Sequence, residues 1–284
     1  MRQITLLYLI GLFAFFSYAV QGQAVKQTAG IKRTVTKTER MPFGAGGTVT
    51  IAGAPSGAIR IKPASGNEVV INARIEIQAD NETELAKLTE ITGYITEESL
   101  SRIAITAVGS HTKGIFKKIP KKTAAKLVSL PYSIDFEIEV PKYCDLVLNG
   151  GKGDLTVEGL EGSLSANFIE STAVVRIVSG AVNLTIGQGS VDIALGTKGW
   201  RARTADVSVA KGDIIARFPA NFSAELDAMV LRTGSIYNII EGMTPRDRKV
   251  EPNDRLMQMK AGVGGPRVKF TVGDGSIRLL PFEI

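Results

Sequence analysis

Apolar and polar residues alternate in short bursts along most of this chain, and the clearest bursts lie between Gly150 and Phe218. Each begins with a glycine or a small polar residue and continues for about five alternating positions. Gly153-Asp154-Leu155-Thr156-Val157, Gly162-Ser163-Leu164-Ser165-Ala166 and Ala173-Val174-Val175-Arg176-Ile177 are followed by Gly180-Ala181-Val182-Asn183-Leu184 and Gly189-Ser190-Val191-Asp192-Ile193, then by Asp206-Val207-Ser208-Val209 and Gly212-Asp213-Ile214-Ile215-Ala216. A period of two places Leu155 and Val157 on one face of a strand and Asp154 and Thr156 on the other. Glycine supplies the positive φ needed to turn within one or two residues. The pattern predicts a stack of short strands with Leu155, Leu164, Val175, Val182, Val191, Val207 and Ile214 facing inward.

Strands are also predicted at 48–51, 58–62, 69–77, 103–108 and 132–140, with Gly, Pro, Ser and Asn between the first three. One helix interrupts them: Asp80 or Asn81 can cap it, Leu85, Leu88 and Ile91 share a face, and Glu84 and Lys87 face water. After Phe218 come strands near 221–226 and 230–236. A charged segment at 244–260 reads as a solvated loop, and a last pair, 268–272 and 276–280, is joined by Gly273-Asp274-Gly275, a hairpin-type signal. Residues 23–43 are basic and lack apolar periodicity, which predicts a flexible leader. Residues 44–284 then form one domain: 44–140 with the helix and a lysine-rich insertion, 141–284 repetitive.

Composition sharpens this. Aromatics are 6% of the chain, so the core is built from Val, Ile, Leu and Ala, and 30 glycines in 284 residues exceed the ~7% background and suit many tight turns. Arg2, the uncharged apolar run Ile4 to Val20 and small residues up to Gly22 have the form of a secretory signal peptide over 1–22. An uncleaved N-terminal anchor is the alternative. The expected location is therefore the periplasm, the cell surface or the medium. Loss of Arg2 takes the formal net charge from +6 to +5, too mild an excess to imply nucleic acid. Cys144 is the single cysteine, so no intrachain disulfide forms, and it reads as a small buried hydrophobe.

The anchors recur at seven to sixteen residues, which is no strict repeat, and strands so spaced also fit a sandwich. Similar phrase lengths and glycine-led corners favour an all-β, irregular single-stack β-solenoid with one short helix. From Tyr132 the order resembles the secreted bacterial putative-adhesin family, domains of unknown function similar to auto-transporter adhesin heads. The likeness lies in Ile138-Glu139-Val140-Pro141-Lys142, Leu146-Val147-Leu148-Asn149, the Gly-Asp-Leu-Thr-Val phrases, Arg217-Phe218-Pro219-Ala220, Leu231-Arg232-Thr233-Gly234-Ser235-Ile236 and Gly275-Ser276-Ile277, and spans roughly Thr48 to Leu280. The resemblance implies a β-solenoid, an export signal or anchor and an envelope location, and it carries no catalytic residues.

No motif points to catalysis, a metal or a cofactor. His111 is the single histidine and reads as a solvated loop residue, with no nucleophile elbow in the chain. Gly150-Gly151-Lys152-Gly153 and Gly187-Gln188-Gly189 complete no phosphate loop, and the first only approximates a calcium repeat. Asp154, Asp192, Asp206 and Asp213 point outward and are the candidates for an alternative reading as a carbohydrate-active enzyme. The best lead is HTKGIFKKIPKKTAAK at 111–126. It holds six lysines (Lys113, Lys117, Lys118, Lys121, Lys122, Lys126) and no acid, with Ile115, Phe116 and Ile119 available to touch a membrane surface. It suits an anionic lipid or glycan, including the role of an envelope-stress accessory. Trp200, Arg201 and Arg203 are a weaker candidate for contacting a partner. Together these features predict a non-enzymatic envelope protein acting by surface contact.

Overall fold

A computed structural model describes residues 30–44, 46–99, 101–117, 119–196, 201–247 and 250–282, with only the backbone described for 201–203. The chain is all-β with two helices. The strands are β1 (Ile31–Pro42), β2 (Thr48–Ala52), β3 (Ile59–Ala64) and β4 (Glu68–Ala79), then α1 (Glu82–Ile91), β5 (Gly93–Ser99) and β6 (Arg102–Val108). After α2 (Lys121–Ser129) come β7 (Tyr132–Pro141), β8 (Asp145–Lys152), β9 (Leu155–Glu161), β10 (Leu164–Leu195) and β11 (Arg201–Phe218). The chain ends with β12 (Ala224–Thr233), β13 (Ile236–Asn238), β14 (Thr244–Pro245), β15 (Leu256–Ala261), β16 (Arg267–Asp274) and β17 (Ile277–Pro281).

Two parallel ladders organise these strands. The first runs β6, β2, β8, β10, β11, β16, β12, and the second runs β7, β3, β9, β10, β11, β17, β13. A rung is one strand of each ladder joined at a corner. Leu146 pairs with Leu164 and Leu155 with Ala173, an offset of 18 residues in both ladders. β10 and β11 are long because the chain turns the corner without losing its ladder bonds.

The sequence-predicted inward anchors are all buried, from Leu155, Val175, Val207 and Ile214 at 0% exposure to Val182 at 3%, in one continuous apolar core. The corners show why glycine recurs. Gly212 has φ 134°, and a Cβ there would lie 1.6 Å from the Gly189 carbonyl oxygen of the next rung. At Gly153 (φ 152°) it would lie 2.1 Å from the Gly57 oxygen. Backbone stacks on backbone with no room for a side chain.

Five expectations are corrected. Residues 31–42, read as part of a flexible leader, form β1, antiparallel to β4 over all twelve residues. On its inward face Val35 and Met41 meet the core, but Arg33, Lys37 and Glu39 interrupt them, pairing with Glu82, lying over the Tyr94 ring at 4.4 Å and accepting from Thr96 respectively, so the apolar alternation is broken. A second helix, α2, lies within the lysine-rich region. Glu84, expected to face water, is largely covered and paired with Lys126. The segment 244–260 is not all loop, because β15 pairs with β12 and carries β14. Finally, Gly273-Asp274-Gly275 is a corner between ladders, since β16 and β17 pair with β11, β12 and β13 but not with each other.

The rungs are also out of chain order. β2 and β3 lie between the β6/β7 and β8/β9 rungs, and β16/β17 lie between β11 and β12/β13. Antiparallel strands then cover the ends: β5 on β6, β4 and β1 beyond β7, and β15 on β12.

Candidate functional site

The lysine-rich strap leaves β6 at Val108 and rejoins the ladder at β7. Its turns close through Gly109 O accepting from Thr112 N, Gly114 O from Lys117 N and Phe116 O from Ile119 N. Phe116 and Ile119 are half-buried and pack against the core, which tethers the strap, while Ile115 is half-buried without joining that core. His111 is not free in solvent: its Nδ1 hydrogen-bonds the Tyr132 hydroxyl and its ring stacks on Tyr132 with centroids 6.0 Å apart.

α2 starts at Pro120, whose fixed φ suits a helix start but which has no side chain to cap the first N–H groups. Leu127 is fully buried and anchors the helix, while Lys121, Lys122, Ala125 and Val128 are exposed. The first turn carries two lysines and no acid, the reverse of what the helix dipole favours. Lys126, in the last turn, is committed to α1: its Nζ lies 2.5 Å from Glu84 Oε1 and 3.6 Å from Asp80 Oδ2. The α1 end is ordinary, with Asn81 Oδ1 accepting from Glu84 N at 3.0 Å.

The sequence-predicted lysines therefore divide. Lys126 is structural. Lys113, Lys117, Lys121 and Lys122 are exposed, with no carboxylate within 4.0 Å among the described residues. Lys118 lies outside the described residues, as does Trp200, and Arg201 and Arg203 are placed only as backbone at the start of β11. Several basic groups elsewhere are paired: Lys62 with Glu137 at 2.6 Å, Lys152 with Glu170 at 2.9 Å, Arg232 with Asp274 at 2.6 Å.

The outward aspartates are spread over both ladders, and the two on neighbouring rungs, Asp192 and Asp213, are each already engaged by other groups. Asp154 and Asp213 follow corner glycines three rungs apart, about 14 Å at the ordinary strand spacing, beyond the ~5–9.5 Å of paired glycosidase carboxylates. Asp206 is on the first ladder and Asp192 on the second. Asp213 Oδ1 accepts from Ser276 N at 2.7 Å, a bond that ties one rung to the next. Asp192 is held by Arg176 Nη1 at 2.9 Å and Arg217 Nη2 at 3.0 Å, across three rungs. Burial alone would raise its carboxyl, but hydrogen bonds and charge from Arg217 and Arg176 outweigh this and hold it below the usual carboxylate value. Such a group stays ionised and cannot donate a proton near neutrality.

Cys144 is 2% exposed, and burial, with a smaller contribution from Asp145, pushes its thiol up to about 12, so it is packing material. Among the described residues no cluster of three metal-ligating side chains occurs, and no helix is long and apolar enough to cross a membrane.

No family model and no curated protein sequence matches the chain. Solved structures of similar shape include a putative cell adhesion protein from Clostridium sporogenes, 12% identical, covering 87% of this chain and 100% of that one at TM-score 0.45. A putative adhesin from Bacteroides fragilis is 12% identical and covers 87% and 97% at 0.37. A putative lipid binding protein from Parabacteroides distasonis is 14% identical and covers 86% and 96% at 0.25. No ligand or activity is carried over from them.

Proposed function

We propose that this chain is an exported, non-enzymatic cell-envelope protein, an irregular β-solenoid that holds a charged strap against an anionic surface. The observation that supports this reading is the set Lys113, Lys117, Lys121 and Lys122, exposed and without carboxylate partners beside an uncapped helix start. Their charge is uncompensated within the protein, whereas many basic groups along the ladders, such as Lys62, Lys152, Arg176 and Arg232, are paired with carboxylates. Phosphate-bearing groups, whether lipid headgroups or an envelope polymer, satisfy both the lysines and the α2 N–H groups. With Phe116 and Ile119 turned inward, binding is electrostatic and sensitive to salt.

The test is co-sedimentation of the chain beginning at Gln23 with phosphatidylcholine vesicles, with and without phosphatidylglycerol, at low and physiological salt. Binding is expected only with phosphatidylglycerol, weaker at the higher salt. At about 1 kcal/mol per lysine, joint replacement of Lys113, Lys117, Lys121 and Lys122 by Gln weakens it on the order of a thousandfold. Competition by soluble polyphosphate identifies a phosphate site, and its failure while vesicles bind identifies a membrane surface. Unchanged vesicle binding by the quadruple variant rejects the proposal.

A further inference from the structure

The outer faces of the two ladders differ in chemistry. On the second, charged side chains reach across rungs, as in Lys62–Glu137 and the Arg176–Asp192–Arg217 triad. On the first, the outward positions of the rows from Thr48–Asp145 to Thr50–Val147, through Ser163, Ser165, Ala181 and Asn183 to Thr204 and Asp206, hold no Lys or Arg among the described residues, with Asp145 and Asp206 as the two carboxylates. Basic residues return at the flanks, at Arg102 on β6 and at Arg267 and Lys269 on β16, and toward the corner, at Lys152 on β8 and Lys211 on β11.

These small side chains leave a shallow groove of about 430 Å³ that crosses the strands from Thr48 to Thr204 and Asp206. Asp145, Ser163, Ser165, Ala181 and Asn183 line its middle. The register makes the lining periodic. Val147, Ser165 and Asn183 share one row across β8 and β10, and Asn183 pairs with Asp206 on β11. Asp145 and Ser163 begin a parallel row joined by a 2.7 Å bond from Ser163 N to Asp145 Oδ1. A further row continues the polarity where Asn167 Nδ2 donates to Asn149 Oδ1 at 3.3 Å. Each rung thus repeats hydroxyl or amide groups at the strand spacing of about 4.8 Å.

We infer that this groove binds an extended, uncharged polysaccharide chain lying across the rungs. Hydroxyls, amides and carboxylates are the groups that exchange hydrogen bonds with sugar hydroxyls, and a carboxylate accepts from two at once. A β-1,4-linked pyranose chain advances by nearly the rung spacing per sugar with successive sugars turned over, so alternate sugars meet equivalent positions. Asp206 at one end is paired with Lys269 at 3.7 Å, and the middle of the groove (Ser163, Ser165, Ala181 and Asn183) holds no charged side chain, which suits an uncharged ligand and makes it chemically distinct from that of the lysine strap. A regular lattice of modest hydrogen bonds gives an affinity that depends on ligand length, each sugar adding a similar increment until the groove is filled.

Calorimetric titration with β-1,4-linked glucose and N-acetylglucosamine oligomers, from monosaccharide to octasaccharide, tests this. Affinity in one or both series is expected to rise with length and level off at about four to five sugars, the number that spans the groove at the strand spacing. Ser165→Lys and Asn183→Lys, both outward on the ladder, should each weaken the longest oligomer by about tenfold or more with the unfolding midpoint unchanged. The quadruple Lys→Gln strap variant should bind sugar as the parent does, and the groove variants should still bind anionic vesicles, so that either site can fail alone. No binding by either series, affinity independent of length, or binding indifferent to both groove substitutions overturns the inference.

Discussion

Gly212 sits where two rungs touch backbone to backbone, and it has two separate reasons to be glycine. Its φ of 134° disfavours any side chain, and a Cβ would meet the Gly189 oxygen at 1.6 Å. Gly212→Ala should destabilise the protein by about 3 kcal/mol or more, read as a lowered urea midpoint. Gly66, around which a Cβ would meet nothing within 4 Å, is the control: Gly66→Ala should change the midpoint by less than ~1 kcal/mol. One corner in the same column carries a side chain. Ser171 is stacked against by Gly189, is 4% exposed, and its hydroxyl has no protein partner. A buried unpaired hydroxyl costs roughly 1–3 kcal/mol, so Ser171→Ala should be neutral or raise stability by about 1 kcal/mol. A clear loss in the same denaturation series would show that the hydroxyl is satisfied.

Among the elements, Asp192 ties together three successive rungs of the second ladder through Arg176 and Arg217. All three side chains are near one-third exposed or less, so the bonds are partly screened and Asp192→Asn should cost about 1–2 kcal/mol at neutral pH. Its folded carboxyl lies below the unfolded value of 3.8, so its stabilisation is complete above 3.8 and fades as pH falls through the lower folded value. The gap between parent and variant should therefore be full at about pH 7 and shrink below pH 3.8, measured as urea midpoints across that range. A gap that does not change with pH would mean that the carboxylate charge is not what stabilises. α2 shows the same division of labour within one helix. Leu127 and Lys126 dock it on the core and on α1, which frees Lys121 and Lys122 to stay unpaired.

At the scale of the whole molecule, a stack of parallel rungs has two raw ends, and both are closed by antiparallel strands. β1 covers β4, which itself covers β7. Removing residues 31–42 would uncover the edge of β4, whose buried positions include Val69, Ile71, Ile75 and Ile77. The truncated chain should self-associate beyond the state of the parent, visible as a higher mass by light scattering after size exclusion. An unchanged mass would show that the β4 edge is protected by other means. The lysine strap and the groove are likewise products of the stack: one is inserted between β6 and β7, the other arises only where strands from β2 to β11 lie side by side.

The alternation in the chain was enough to determine the all-β class, most strand positions, the inward residues from Leu155 to Ile214 and the glycine corners, and helical spacing gave α1 with a cap at Asp80 or Asn81, of which the structure uses Asn81. Each of these depends on neighbours within a few positions, where side-chain periodicity and backbone sterics act directly. The lysine cluster was legible too, as composition. Which lysines stay unpaired was not, because Glu84 reaches Lys126 only once α1 and α2 are packed together. β1 was hidden because Arg33, Lys37 and Glu39 interrupt Val35 and Met41 on its inward face. The order of the rungs, the fate of Asp192 and Asp213, and the groove between Thr48 and Asp206 were decided by tertiary structure alone. They depend on which strands become neighbours, and that choice is made by the pairing of edges and the closing of a common core between segments far apart in the chain.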